Sequence, residues 1–95
     1  MNTPDLVKPG VVNLVKPRYT PDGMRQKLQG TVTVDVIIGT DGTVTKARIQ
    51  VSLDKATGLD EAALTAARQS TFTPGTLQGQ PVPVHTFLVL EFRLH

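Results

Sequence analysis

Cysteine and tryptophan are absent from these 95 residues, and the aromatic side chains amount to one Tyr and three Phe. Without cysteine there is neither a disulfide framework nor a thiolate metal site, and the compartment stays undecided on that ground. The net charge is +2 and the pI near 9.3, yet no run of like charge exceeds two residues. With so few aromatics, the chain offers nucleic acid neither a basic stripe nor a stacking platform. Apolar runs stay far below the roughly 18 residues of a membrane-spanning helix. Residues 1–10 carry no signal-peptide pattern.

Catalytic groupings are missing as well. The two histidines, His85 and His95, are about 33 Å apart along one strand at about 3.3 Å per residue, too far to share a metal. Asp60 and Glu61 are adjacent and point to different sides of a helix, so they are no carboxylate dyad. Gly39-Thr40-Asp41-Gly42 precedes a strand and lacks the helix a phosphate loop requires. Asp35, Asp41 and Asp54 are too dispersed for a calcium loop. The chain reads as non-enzymatic, with no cofactor, metal or small-molecule substrate.

What is present is a hairpin from Gly30 to Leu53, around which the rest is organised. In Thr31–Ile38, Val32, Val34, Val36 and Ile38 share one face of a half-buried strand. In the second arm Ala47, Ile49, Val51 and Leu53 share a face. A two-residue Asp41-Gly42 turn sets Val36 opposite Ala47, Val34 opposite Ile49 and Val32 opposite Val51. It also sets Asp35 opposite Arg48 on the wet face.

The flanking segments follow in order. Residues 1–10 form a flexible N-terminal end, and residues 11–95 the domain. Lys8–Lys16 is extended and too apolar for a free linker, so it is a strap on the sheet or a short edge strand. Thr20 caps a short helix with Pro21 at its first position and Asp22 in its first turn. Met24 and Leu28 form its buried stripe, and Gly30 its C-terminal stop. A second helix spans Glu61–Gln69, with Asp60 as N-cap and Leu59 and Leu64 as a hydrophobic staple. Phe72 then anchors the chain, and a last strand runs from Val82 to Leu94. Val34, Ile49, Leu64, Phe72 and Leu90 form the expected core.

The expected fold is α+β. A small antiparallel sheet, ordered second arm, first arm, last strand, carries two helices on its Val32/Val34/Val36 face. The last strand is then an open edge.

Taken in order, Pro17-Arg18-Tyr19 with Pro21, Gly30-Thr31-Val32-Thr33-Val34, Asp41-Gly42-Thr43-Val44 and Leu59-Asp60-Glu61-Ala62-Ala63 form a recognisable series. It continues with Phe72-Thr73-Pro74, Gly79-Gln80-Pro81-Val82 and Phe92-Arg93-Leu94. In order and spacing this series resembles the C-terminal domain of TonB-type energy transducers, from about Val11 to Leu94. Tyr19 is separated from Pro21 by Thr20, where the family usually has Tyr-Pro-Pro. Ser70 stands where relatives often carry Trp, which implies a smaller core.

The resemblance implies a periplasmic adapter, part of an inner-membrane-anchored protein whose transmembrane anchor and Pro-rich spacer are not in this chain. Its implied partners are outer-membrane TonB-dependent transporters, which add a short box peptide to the edge strand, and inner-membrane motor proteins. Pro83 suggests which residues meet that strand. A proline in an edge strand belongs where its missing N–H would face solvent. Odd positions therefore point outward, nominating His85, Phe87, Val89 and Glu91, with Tyr19 as a further candidate contact. Two other readings use the same fold: a strand-swapped homodimerisation module, and a sensor domain of a membrane-bound receptor or peptidase.

Overall fold

The computed structural model describes residues 5–94; His95 and the first four residues lie outside them. In chain order the elements are β1 (Leu6–Val7), β2 (Val11–Asn13), α1 (Pro21–Arg25), β3 (Gly30–Ile38) and β4 (Val44–Val51). They continue with α2 (Leu59–Gln69), β5 (Thr71–Phe72), β6 (Gly75–Leu77), β7 (Gln80–Val82) and β8 (Val84–Phe92). The main sheet is antiparallel, in the order β4-β3-β8, with β3 central. Val32, Val34, Val36 and Ile38 are all buried, together with Leu59, Ala63, Ala66 and Ala67 of α2. The alanines let the helix sit close to the sheet. Phe72, Leu90 and Phe92 complete the core, and Ile49 and Leu64 pack partly buried against it. The expected α+β architecture and strand order both hold.

The hairpin turn differs from expectation. Gly42 donates its N–H to the Gly39 carbonyl at 3.0 Å, and Gly39 donates to Thr43 at 2.7 Å. That is a three-residue loop with Gly42 in the left-handed region, φ +87°. A second irregularity in β4, between Val44 and Lys46, shifts the register back. Val36 thus still faces Ala47, Val34 faces Ile49 and Asp35 faces Arg48. A further shift past Ile49 places Val51 opposite Thr33, not Val32. The tertiary cause is β5: Phe72 donates its N–H to the Gly42 carbonyl at 2.9 Å. A Cβ on Gly42 would lie 1.9 Å from the Phe72 carbonyl oxygen.

Both helices depart from their sequence signals, α1 at its end and α2 at its start. In α1, Thr20 caps as expected, its Oγ accepting from Gly23 N at 3.0 Å, but the helix ends at Arg25. Lys27 takes a left-handed φ of +53°, and Leu28 N donates to the Gly23 carbonyl at 3.1 Å, a Schellman-type ending. Leu28 is therefore off the helix, Met24 is half exposed, and Gly30 opens β3. Gly23 is the buried position, because a Cβ there would meet a Leu59 δ-methyl at 2.7 Å.

Helix α2 starts after Gly58 with no side-chain cap. Asp60 instead ties down the segment after β4, so Leu59 lies within the helix and no staple forms. Its Oδ1 accepts from Leu53 N at 3.0 Å and Asp54 N at 3.3 Å, and its Oδ2 from the Ser52 hydroxyl.

The N-terminal segment is more structured than a loose end. Leu6 and Val7 pair with Leu77 and Thr76, and Val11 pairs with Phe72. Ser70 is fully buried, donates to the Ala66 carbonyl at 2.9 Å and accepts from Val15 N at 3.0 Å. At that position a serine fastens the strap.

Candidate functional site

The main sheet has two outer strands, β4 and β8, and they differ in regularity. β4 is shifted twice against β3, whereas β8 pairs with β3 through nine consecutive positions without a bulge. Bulges twist and interrupt an edge, and so protect it from further pairing. Among the described residues, β8 pairs with β3 alone, which leaves its other side open.

The direction of its backbone groups follows from the turn. Gly39 donates its N–H toward the second arm, and the Ile37 carbonyl accepts from Thr45 Oγ at 3.2 Å on the same side. Odd residues of β3 therefore bond toward β4 and even ones toward β8, since N–H and C=O directions alternate along a strand. Val34 faces Leu88 and Val32 faces Leu90, so even residues of β8 bond inward. His85, Phe87, Val89 and Glu91 present their N–H and C=O groups laterally outward. The Pro83 argument reached the same parity by a route that does not hold: Pro83 lies between β7 and β8, outside the ladder.

The side chains of these four residues lie on the open face of the sheet, opposite the helices. Phe87 and Val89 are well exposed. His85 Nε2 is 3.0 Å from Asp35 Oδ1, and its ring meets Phe87 edge-on at 5.3 Å. Glu91 accepts from Arg93 at 3.0 Å. Asp35 is on the expected face but is not wet. Its side chain is 7% exposed because it stands on the central strand between Arg48 and His85.

Tyr19 sits beside the C-terminal half of β8. Its hydroxyl donates to the Leu28 carbonyl at 2.6 Å, and its ring packs edge-on against Phe92, centroids 5.3 Å apart. With the strap residues Leu14–Pro17 it forms one wall of a groove of ≈ 430 Å³, and Val89–Arg93 form the other. Tyr19 is the candidate contact of the sequence analysis; the part of the wall made by Leu14–Pro17 is signalled in the sequence only by the apolar content of the strap.

Among the described residues no group of three His, Cys, Asp or Glu side chains is placed to hold a metal ion. No helix of the described residues is long and apolar enough to cross a membrane.

Residues 15–94 match the family model described as the Gram-negative bacterial TonB protein C-terminal. The chain belongs to the TonB C-terminal family. Protein TonB of Vibrio cholerae is 31% identical over 88 residues, 92% of this chain and 36% of that protein. Protein TonB of Xanthomonas campestris is 31% identical over 83 residues, 87% of this chain and 37% of that protein. This TonB C-terminal domain thus spans about a third of the length of the curated relatives it matches. Its fold is similar to the solution structure of the Pseudomonas aeruginosa TonB C-terminal domain. The TM-score is 0.68 at 18% identity, covering 99% of this chain and 91% of that one.

Proposed function

We propose that this TonB C-terminal domain is a non-enzymatic periplasmic binding module of an energy transducer. It captures an extended box segment of an outer-membrane transporter as an additional strand on β8. Main-chain hydrogen bonds at His85, Phe87, Val89 and Glu91 supply affinity, and the neighbouring side chains supply selectivity. Tyr19 and the strap line the groove that the added strand enters. Coupling to inner-membrane motor proteins runs through parts of the protein outside this chain.

The observation that carries the reading is the contrast between the two edges. Of these two edges among the described residues, β8 alone combines an unbulged ladder with an open side and an adjoining apolar groove. The same edge favours a second reading, pairing between two copies through exposed Phe87 and Val89. Sizing over a concentration series separates the two, because self-pairing moves elution and a free edge does not.

Amide hydrogen exchange tests the first reading. Saturation with a transporter box peptide is expected to slow exchange at His85, Phe87, Val89 and Glu91. Leu88 and Leu90, already bonded inward, should change little. Protection absent from these four amides, or centred on β4, overturns it.

A further inference from the structure

Two rows of side chains cross the open face of the sheet, Lys46–Ile37–His85 and Arg48–Asp35–Phe87. All of these residues but Phe87 line a hollow of ≈ 570 Å³, together with Arg68 of α2. Its charged lining does not balance: Lys46, Arg48 and Arg68 line it with His85, and Asp35 is the single carboxylate among the lining residues. That carboxylate is already engaged, with Oδ1 at 3.0 Å from His85 Nε2 and Oδ2 at 3.3 Å from Arg48 Nε.

Asp35 orients Arg48 more than it neutralises the hollow. It takes Nε only, and the terminal nitrogens have no partner among the described residues. Those nitrogens belong to the planar fork that binds carboxylates in bidentate fashion. The Arg48 side chain is 80% exposed and open to an incoming group. In the same and the adjoining rows, Phe87 (54%), Val89 (60%) and Val51 (55%) leave apolar surface uncovered. The face is cationic toward one end and apolar toward the other.

We propose that this open face is a second interaction surface, which receives an acidic and apolar linear segment of a protein partner. A carboxylate of that segment meets the Arg48 fork, and its apolar side chains cover Phe87, Val89 and Val51. Charge complementarity selects the occupant. Three cations around one committed carboxylate repel a basic segment, and a neutral one leaves the fork unpaired. A small anion fills the fork but leaves the apolar row in water. The charged groups stand on β3, β4 and α2 as well as β8, so this surface does not rest on strand addition at the β8 edge.

The test is a titration of the isotope-labelled domain, followed by amide chemical shifts, with a capped six-residue peptide alternating Glu and Val. Its Gln-for-Glu counterpart and sodium acetate are run alongside. Shifts are expected to centre on Lys46, Arg48 and Phe87. Affinity should fall about tenfold or more for the Gln peptide, for Lys46→Glu and for Arg48→Lys, which keeps the charge but loses the fork. Lys46 is exposed, so the fold of Lys46→Glu is secure, and thermal melts check both variants. Capture of a transporter box peptide at β8 should be unchanged in Lys46→Glu, which separates this surface from the edge. Equal binding of the Gln peptide, the same shifts with acetate at equal concentration, or no shifts up to about 5 mM peptide overturns the proposal.

Discussion

Phe72 donates its backbone N–H to the Gly42 carbonyl at 2.9 Å, so the segment after α2 grips the hairpin turn 30 residues earlier in the chain. This contact accounts for the three-residue loop. Gly42 must hold φ +87° and lie flat against the Phe72 carbonyl, and β4 absorbs the extra residue with a second bulge.

Gly42→Ala should therefore destabilise the domain strongly. The left-handed backbone alone costs about 1–3 kcal/mol for a residue with a Cβ, and the 1.9 Å approach to the Phe72 carbonyl oxygen adds to it. Denaturant unfolding measures the loss. An unchanged midpoint would show that the turn is not held against β5.

Asp41 makes the same turn sensitive to pH. The Thr43 hydroxyl and then the Thr43 N–H donate to its carboxylate, at 2.7 and 3.0 Å, and hold its pKa below the ordinary value of 3.8. A carboxyl more acidic in the folded state stabilises at neutral pH. That contribution fades as pH falls through 3.8 and on through the lower folded value. Asp41→Asn should be less stable than the parent at pH 7, with the gap closing below pH 3.8. A gap that stays constant with pH contradicts the assignment.

Gly23→Ala decides between propensity and packing. In a helix interior, alanine is favoured over glycine by about 1 kcal/mol. Here a Cβ would come within 2.7 Å of one δ-methyl of Leu59 and 3.0 Å of its Cγ, and that side chain is fully buried. Overpacking of this kind costs about 1–3 kcal/mol, so a net loss of stability is expected. A rise in melting temperature would mean that α1 is not seated on Leu59.

The sheet is legible in the sequence because alternation is a strong constraint. With Val32, Val34, Val36 and Ile38 on one face, a slip of one residue would turn them all to water, so the Val34–Ile49 and Asp35–Arg48 pairings hold whichever turn closes the hairpin. Local capping signals are weaker. Asp60 has the chemistry of an N-cap but is drawn to three donors on the preceding loop, and Met24 loses its stripe when α1 stops after a little more than one turn. Long-range roles leave almost no trace. Ser70 clasps Val15 across 55 residues, and Asp35 is buried by neighbours from two other strands.

The candidate site divides in the same way. An open last strand follows from element order, but which of its residues point outward is set by the Gly39–Thr43 bond at the turn, because Pro83 lies outside the ladder. The groove wall at Leu14–Pro17 and the bulges that set β4 apart from β8 depend on tertiary contacts that no local pattern encodes.

The most direct measurement of β8 as the recognition edge is a pair of proline substitutions, each read by circular dichroism and by titration with a transporter box peptide. Val89 directs its N–H outward and its exposed side chain to the open face. Val89→Pro should therefore keep the fold and lose peptide capture. Leu90 bonds inward to β3 and is 2% exposed, so Leu90→Pro removes a ladder bond and distorts the core, and should unfold the domain. A folded Val89→Pro domain that captures the peptide as tightly as the parent would contradict strand addition at β8.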